Sequence, residues 1–427
     1  MNRALAQGIV RALGVTGVPR DRLRAVQGFN AADWQRTLAW LDDSALGLYL
    51  LDAVERAGAG GPGGILPAAI RTRLAQNLES NRLRLAAMKG EFRALNWHLD
   101  AAGAEYAVLK GFALVPDYCP DAALRSQYDY DYLVSPRTAA SAEAALENLG
   151  YCRKVQSPGH EPEGVSLMAP RPLGPPAADG GFYSASLARG VELHTKLWEY
   201  DADGVRVETP PDVLERRQPA AWEGLSFPAL DGTDALLFQV LHAFHHLLDH
   251  WCRLSCFLEI ARFLDRRHAD SDFWERFRAR VQPLGYAPEV TGLVLAMAGS
   301  LFDAPLPREV SRWAAPPPAV SLWVQHYGLD WALAPFPGSK LSLFVHAAFV
   351  EDAHTWRRIR RARLFPWHRP AQVVGAGDPA VSPVAAWKSR AEQWRFVLGR
   401  ARFHFGALCE YGRHLRRWNR MVRAGGR

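Results

Sequence analysis

Arg125-Ser126-Gln127-Tyr128-Asp129-Tyr130-Asp131-Tyr132-Leu133-Val134 reads as a strand that carries two carboxylates. Tyrosines and aliphatics otherwise mark the run for burial. Side chains alternate along a strand, so Asp129 and Asp131 share one face. Tyr128, Tyr130 and Tyr132 fall on the other. Two like charges side by side repel, and burying either is costly unless it is paired or bound to a metal. A chain that keeps both there provides for a cation. Magnesium held by carboxylates and substrate phosphates is a common arrangement of this kind.

Working outward, Tyr106 to Leu109 is a short apolar strand closed by Lys110-Gly111, and Phe112 to Tyr118 starts a helical turn. Ser135-Pro136 reads as a helix start, Ser135 capping and Pro136 at the first helical position. That helix runs to about Leu149 and stops at Gly150. Tyr151 to Val155 is a further strand. Gln156 to Gly181, rich in proline and glycine, reads as a loop. Arg189 to Leu197 is another strand. Residues 103–200 thus form a small α/β or α+β core. Residues 1–102 read as helical, ending in a long amphipathic helix from Pro67 to Ala102, which Gly103 terminates. Residues 201–427 return to helical patterning. An apolar stripe runs through Leu237, Leu241, Phe244, Leu248, Trp251 and Leu258. A basic, tryptophan-rich helix or helix pair spans Ala385 to Val422.

The chain has 427 residues, 48% of them hydrophobic, and a formal net charge of +7. It is long enough for two or three domains. The basic residues are nearly all arginine and are densest in Arg357 to Arg363 and from Arg395 onward. Such runs suit an anionic partner, nucleic acid included, or simply a solvated helix face, which is the favoured reading. Five scattered cysteines do not make a disulfide framework and fit a reducing cytoplasm. Met1 to Val15 lacks a signal-peptide layout. The apolar stretch Val290 to Phe302 is too short to span a bilayer.

Glu192 sits in its own strand, Val191-Glu192-Leu193-His194. If that strand lies beside Asp129 and Asp131, three carboxylates meet on one face. Three carboxylates can hold two metal ions about 4 Å apart, as phosphoryl and nucleotidyl transfer require. The competing reading is a pair of exposed edge-strand charges. Lys110-Gly111 resembles an anion site, glycine admitting phosphate to backbone N–H groups and the following helix adding its dipole. A plain turn is the alternative.

His242, His246 and His250 are spaced by four along one helix face, with His245, Cys252 and Cys256 nearby. Two such histidines can bind zinc. No glutamate follows in the metalloprotease pattern, and the cysteines occupy other positions. The favoured reading is a polar stripe facing the core, from which His246 can approach the site. The aromatics Trp394, Phe396, Phe403, Phe405 and Trp418 among arginines suit RNA binding, or a helix packing its aromatic face on a core, which is favoured.

The order Val108-Leu109-Lys110-Gly111, Tyr118, Arg125, Asp129-Tyr130-Asp131-Tyr132-Leu133-Val134, Gly150-Tyr151, Val191-Glu192-Leu193-His194 resembles the bacterial nucleotidyltransferase-like family of the polymerase-β superfamily. The resemblance covers about residues 70–265. It implies an α+β fold, a small mixed nucleotidyltransferase sheet flanked by N-terminal helices and a larger C-terminal helical region. It further implies two magnesium ions on Asp129, Asp131 and Glu192. Lys110, Gly111 and Arg125 would meet the phosphates of a nucleoside triphosphate, and His194 would orient a ligand. Glu192 would also assist deprotonation of an acceptor hydroxyl. In the wider superfamily a Gly-Ser pair opens the site helix, and Lys110-Gly111 stands in that place. The acceptor, small molecule, peptide or protein, is not named by the resemblance. Two other readings remain: a non-catalytic nucleotide-binding or scaffold protein, and an Asp-x-Asp glycosyltransferase. The latter needs a nucleotide-binding α/β half before the motif, where this chain reads as helical.

Overall fold

The structure is a computed structural model and describes residues 1–59, 64–153, 165–168, 183–184, 189–198, 204–249, 253–335, 338–366 and 383–425. Its centre is one mixed sheet. The strands are β1 (Tyr106–Val108), β2 (Asp129–Val134), β3 (Cys152–Arg153), β4 (Val165–Met168), β5 (Gly190–His194), β6 (Gln218–Trp222) and β7 (Leu225–Ala229). Their order is β3-β4-β5-β2-β1-β7-β6. β2 runs parallel to β5 and β1 parallel to β7, while the remaining neighbours are antiparallel. With helices before and after it, the fold is α+β.

The helix Ala68–Ala101 covers one face of the sheet. Its buried stripe recurs every three or four positions, through Ile70, Leu74 and Leu78, then the polar Asn81 and Arg84, then Met88, Phe92, Leu95 and Leu99. It stops at Gly103, whose φ of 65° lets the Ala104 N–H reach back to the Leu99 carbonyl. Tyr130, Tyr132, Val191 and Leu193 point from the sheet into this helix, around Phe92. Phe92 stacks on Tyr130 and Tyr132 at centroid distances of 6.2 and 6.3 Å. Both tyrosines keep their hydroxyls satisfied there. Tyr130 donates to Glu91 Oε2 at 2.8 Å and Tyr132 to Asn96 Oδ1 at 3.0 Å. That is why a buried strand tolerates tyrosine in place of aliphatics.

Helices Gly232–Leu248 and Leu254–Arg267 belong to the second apolar cluster, with Ala107, Leu109 and Leu133 of the sheet region. Gln239 fixes the first of them by donating to the Leu109 carbonyl at 3.2 Å. The C-terminal helix Pro383–Gly425 packs Tyr411 and Trp418 on Phe344, at 4.9 and 5.3 Å.

Several local expectations need correction. The helix after β2 is Ala139–Asn148 and starts at Thr138 without a side-chain cap. Ser135 instead accepts from the Arg137 N–H at 3.4 Å, closing a turn that delays the helix. The element after Lys110 is only a four-residue 3-10 turn, Gly111–Leu114, too short to supply a helix dipole. Tyr128 precedes the strand, so alternation does not govern it. The guanidinium groups of Arg84 and Arg253 both lie over its ring, 4.9 and 5.7 Å from the centroid. Residues 165–168 within the expected loop form β4, and the rest of Gln156 to Gly181 lies outside the described residues. So do His250, Trp251 and Cys252. The sheet also continues through the hairpin β6–β7, beyond residue 200. At the C-terminus, Trp418 packs as expected, but Trp394, Phe396 and Phe405 are exposed. No helix among the described residues is long and apolar enough to cross a membrane.

Candidate active site

The β2–β5 pairing builds the site. In its parallel register Asp131 stands opposite Glu192, and Asp129 opposite Gly190. Register partners share a face, so both aspartates and Glu192 emerge together while the tyrosines face the helix. Gly190 adds no side chain beside Asp129, and a Cβ there would stand 3.0 Å from the Leu167 carbonyl oxygen. His194, two residues beyond Glu192, returns to the same face. Its Nε2 lies 3.5 Å from Asp131 Oδ1 and 3.6 Å from Glu192 Oε2. One ligand atom from each of Asp131, Glu192 and His194 lies within 4.8 Å of the others.

Lys110 enters from the end of β1. Its ammonium lies 2.8 Å from Asp131 Oδ1, with the two side chains only 10% and 2% exposed. Burial by itself would lower the Lys110 pKa, but Asp131, Asp129 and Glu192 together hold it above its ordinary value. Burial likewise works against the Asp131 carboxylate, yet Lys110 and His194 hold its pKa well below the usual carboxylate range. Asp129 differs. Burial raises its pKa first and the Asp131 charge raises it further, and Lys110 only partly offsets them. One carboxylate therefore has its counter-cation and the other lacks a sufficient one.

Lys110, Asp129, Glu192 and His194 line a pocket of about 430 Å³. Glu192 is the most open of the acids, at 41% side-chain exposure. Asp131 and Glu192 bring carboxylate oxygens to the cluster with His194, which suit a hard ion such as magnesium, whereas Asp129 shares the face and the pocket wall but is not part of the cluster. The Lys110 ammonium already marks where positive charge is accepted.

Two of the expected site residues stand elsewhere. Arg125 is buried, its Nε donating to Glu259 Oε1 at 3.2 Å, and it is not among the residues lining the pocket. Burial would lower its pKa, but Glu259 outweighs this and the guanidinium stays charged. Gly111 also lies off the pocket. Its φ of 70° is left-handed, and a Cβ there would stand 2.5 Å from Gln127 Nε2.

Other pocket residues escaped the sequence reading. Ser166 pairs with Glu192 across β4–β5 and lines the pocket beside it. Tyr128, Lys196 and Arg253 line it too. Arg253 also donates to the Ser126 carbonyl, at the entry to β2. No motif surrounds Arg253 in the sequence; only the packing of the Leu254–Arg267 helix brings it here. His242, His245 and His246 complete the helical wall, as the polar stripe facing the core had implied.

Residues 30–303 match the model of a family described as uncharacterised nucleotidyltransferase. No curated protein matches the chain. The family match agrees with the ordered motifs and with carboxylates gathered on a small mixed sheet, and it supports a role in nucleotidyl transfer. Since it spans more than half of the 427 residues, the chain belongs to the uncharacterised nucleotidyltransferase family.

Proposed function

We propose that the protein is a magnesium-dependent enzyme that moves a nucleoside monophosphate from a nucleoside triphosphate to a hydroxyl-bearing acceptor. The observation that carries this reading is the charge imbalance at the carboxylates. Asp131 is held ionised by Lys110, while Asp129, beside Glu192 on the pocket wall, has its pKa raised for want of positive charge. Asp129, Asp131 and Glu192 would hold magnesium. Magnesium, when bound, neutralises triphosphate charge and acidifies the attacking hydroxyl.

Each side chain then has a defined task. Lys110 keeps Asp131 in its ligating, ionised form and lies within the pocket for the phosphates. Arg253 and Lys196 take the phosphate-neutralising role that the motif order suggested for Arg125. Glu192 accepts the proton of the acceptor hydroxyl, as the most solvent-accessible of the three acids. His194, whose Nε2 lies 3.5 Å from Asp131 and 3.6 Å from Glu192, would orient a bound ligand beside them. The acceptor oxygen forms its bond to the α-phosphorus, the α–β phosphoanhydride bond breaks, and pyrophosphate leaves with the electron pair. The reducing interior of a cell is the proposed setting.

A second reading is favoured by one observation. A lysine already neutralises Asp131, as would suit a nucleotide-binding protein that no longer turns over. One assay separates the two. Transfer of label from α-labelled nucleoside triphosphate, with pyrophosphate release, is measured across a panel of hydroxyl acceptors, with magnesium and with chelator. The enzyme reading expects magnesium-dependent release, reduced at least about 100-fold in Asp129→Asn. Saturable nucleotide binding with no pyrophosphate from any acceptor would favour the non-catalytic reading.

A further inference from the structure

The helical wall of the pocket carries donors that the carboxylate chemistry does not use. His242 and His246 are one helical turn apart on Gly232–Leu248, so their side chains share a face. Their rings meet edge to face, with centroids 4.6 Å apart. Cys256 comes from the next helix, Leu254–Arg267, and its side chain is buried. One ligand atom from each of the three lies within 4.8 Å of the other two. The expectation that the cysteines lie apart from the histidines therefore fails for Cys256. Sequence spacing could not reveal this, because the third donor arrives from a separate helix.

A second observation points to a ligand. His242 Nε2 is buried without a hydrogen-bond partner among the described residues. A buried polar nitrogen left in that state costs free energy comparable to a lost hydrogen bond. We propose that His242, His246 and Cys256 form a zinc site in the helical wall of the pocket, distinct from the carboxylate site on the sheet.

Donor chemistry selects the ion. Two imidazoles and a thiol are borderline-soft ligands that suit zinc and are poor for magnesium. Donors on one tetrahedral zinc, each about 2.0–2.3 Å from it, stand about 3.3–3.8 Å apart. The observed spacing, within 4.8 Å, is wider by up to about 1 Å, and side-chain rotation on binding closes it. Binding converts the Cys256 thiol to a thiolate on the metal and releases its proton to solvent. Three protein ligands leave a fourth position in a tetrahedral site. His242 and His246 both line the pocket, so water or a donor atom of a bound ligand fills that position from the pocket side. The pocket would then have a hard metal site on its sheet wall and a soft one on its helical wall.

The test reads metal content and needs no turnover. Full-length protein without a polyhistidine tag is stripped with chelator, reloaded with zinc, desalted and analysed by elemental mass spectrometry. The expected result is about one zinc per chain, retained in excess magnesium. Cys256→Ser and the double variant His242→Ala/His246→Ala should each lower it about tenfold or more, with unchanged circular dichroism. Asp129→Asn should leave it unchanged. Cobalt-loaded wild-type protein should show a thiolate-to-cobalt charge-transfer band, a readout that requires no variant. Failure of wild-type protein to retain zinc, or a cobalt spectrum without that band, would overturn the proposal. So would equal zinc retention by the variants. Loss of nucleotide binding in the histidine variant, with no zinc in wild type, would instead assign these histidines to the nucleotide.

Discussion

Asp129 and Asp131 have the same chemistry and opposite fates. Asp131 faces an ammonium at 2.8 Å and stays ionised; Asp129 faces burial and a neighbouring negative charge, and its pKa rises above the ordinary aspartate value of about 3.9. A metal needs the ionised carboxylate, so protons compete with magnesium at Asp129 at a higher pH than at an ordinary aspartate. Magnesium affinity should therefore increase as pH rises through that elevated pKa and then level off. Calorimetric titrations at several pH values would measure this. Asp129→Asn should bind more weakly and lose the step; a pH-independent wild-type affinity would contradict the assignment. The two aspartates were legible in the sequence because alternation on a strand fixes their common face. The pairing of Lys110 with Asp131 was not. Lys110 reaches that carboxylate only because β1 ends beside β2.

At the scale of elements, the long helix and β2 depend on one ring. Phe92 contacts Tyr130, Tyr132, Phe112 and Phe227 through ring distances of 4.9 to 6.3 Å. Phe92→Ala should cost about 3–5 kcal/mol, read from denaturant unfolding. Gly111→Ala combines a left-handed φ with a Cβ 2.5 Å from Gln127 Nε2. It should destabilise by about 1–3 kcal/mol and weaken nucleotide binding, because Lys110 is the adjacent residue. A variant as stable as wild type would show that the turn relaxes freely. Elements with strong periodicity were readable, the long helix above all. The strands that escaped were short or weak in β-propensity. β6 is Gln-Pro-Ala-Ala-Trp, with proline and alanine where a strand prefers branched residues. It is held by its register with β7 across the Glu223-Gly224 turn, where both residues have positive φ. β4 has only four residues inside a proline- and glycine-rich segment.

Across the whole molecule, the helical regions and the sheet meet at Arg125. Its guanidinium and the Tyr49 hydroxyl both donate to Glu259 Oε1, at 3.2 and 2.9 Å. One N-terminal helix, the approach to β2 and one C-terminal helix thus share a buried carboxylate. Removing one partner of a buried ion pair leaves an uncompensated charge, so Arg125→Met should cost about 3–5 kcal/mol. Glu259→Gln on that background should recover part of the loss. If Arg125 instead served the phosphates, Arg125→Met would lower nucleotide affinity without lowering the unfolding midpoint. The sequence offered no sign of this tie, since its three members lie in regions that read as independent. It did convey the order of helices, sheet and helices, because that order rests on local periodicity.

The β2–β5 pairing carries one more consequence. Glu192 reaches Asp131 only because Asp131 registers with Glu192 rather than with Val191 or Leu193. A slip of one residue would turn Glu192 toward Phe92 and present Val191 to the pocket, since side chains alternate strictly. Such a chain would keep its helices and most of its sheet, and bulk spectroscopy would score it as folded. It would nonetheless lack a complete set of acids. The fraction of competent molecules in a preparation, counted by stoichiometric magnesium–nucleotide titration, is therefore a direct assay of folding fidelity at a single strand pair.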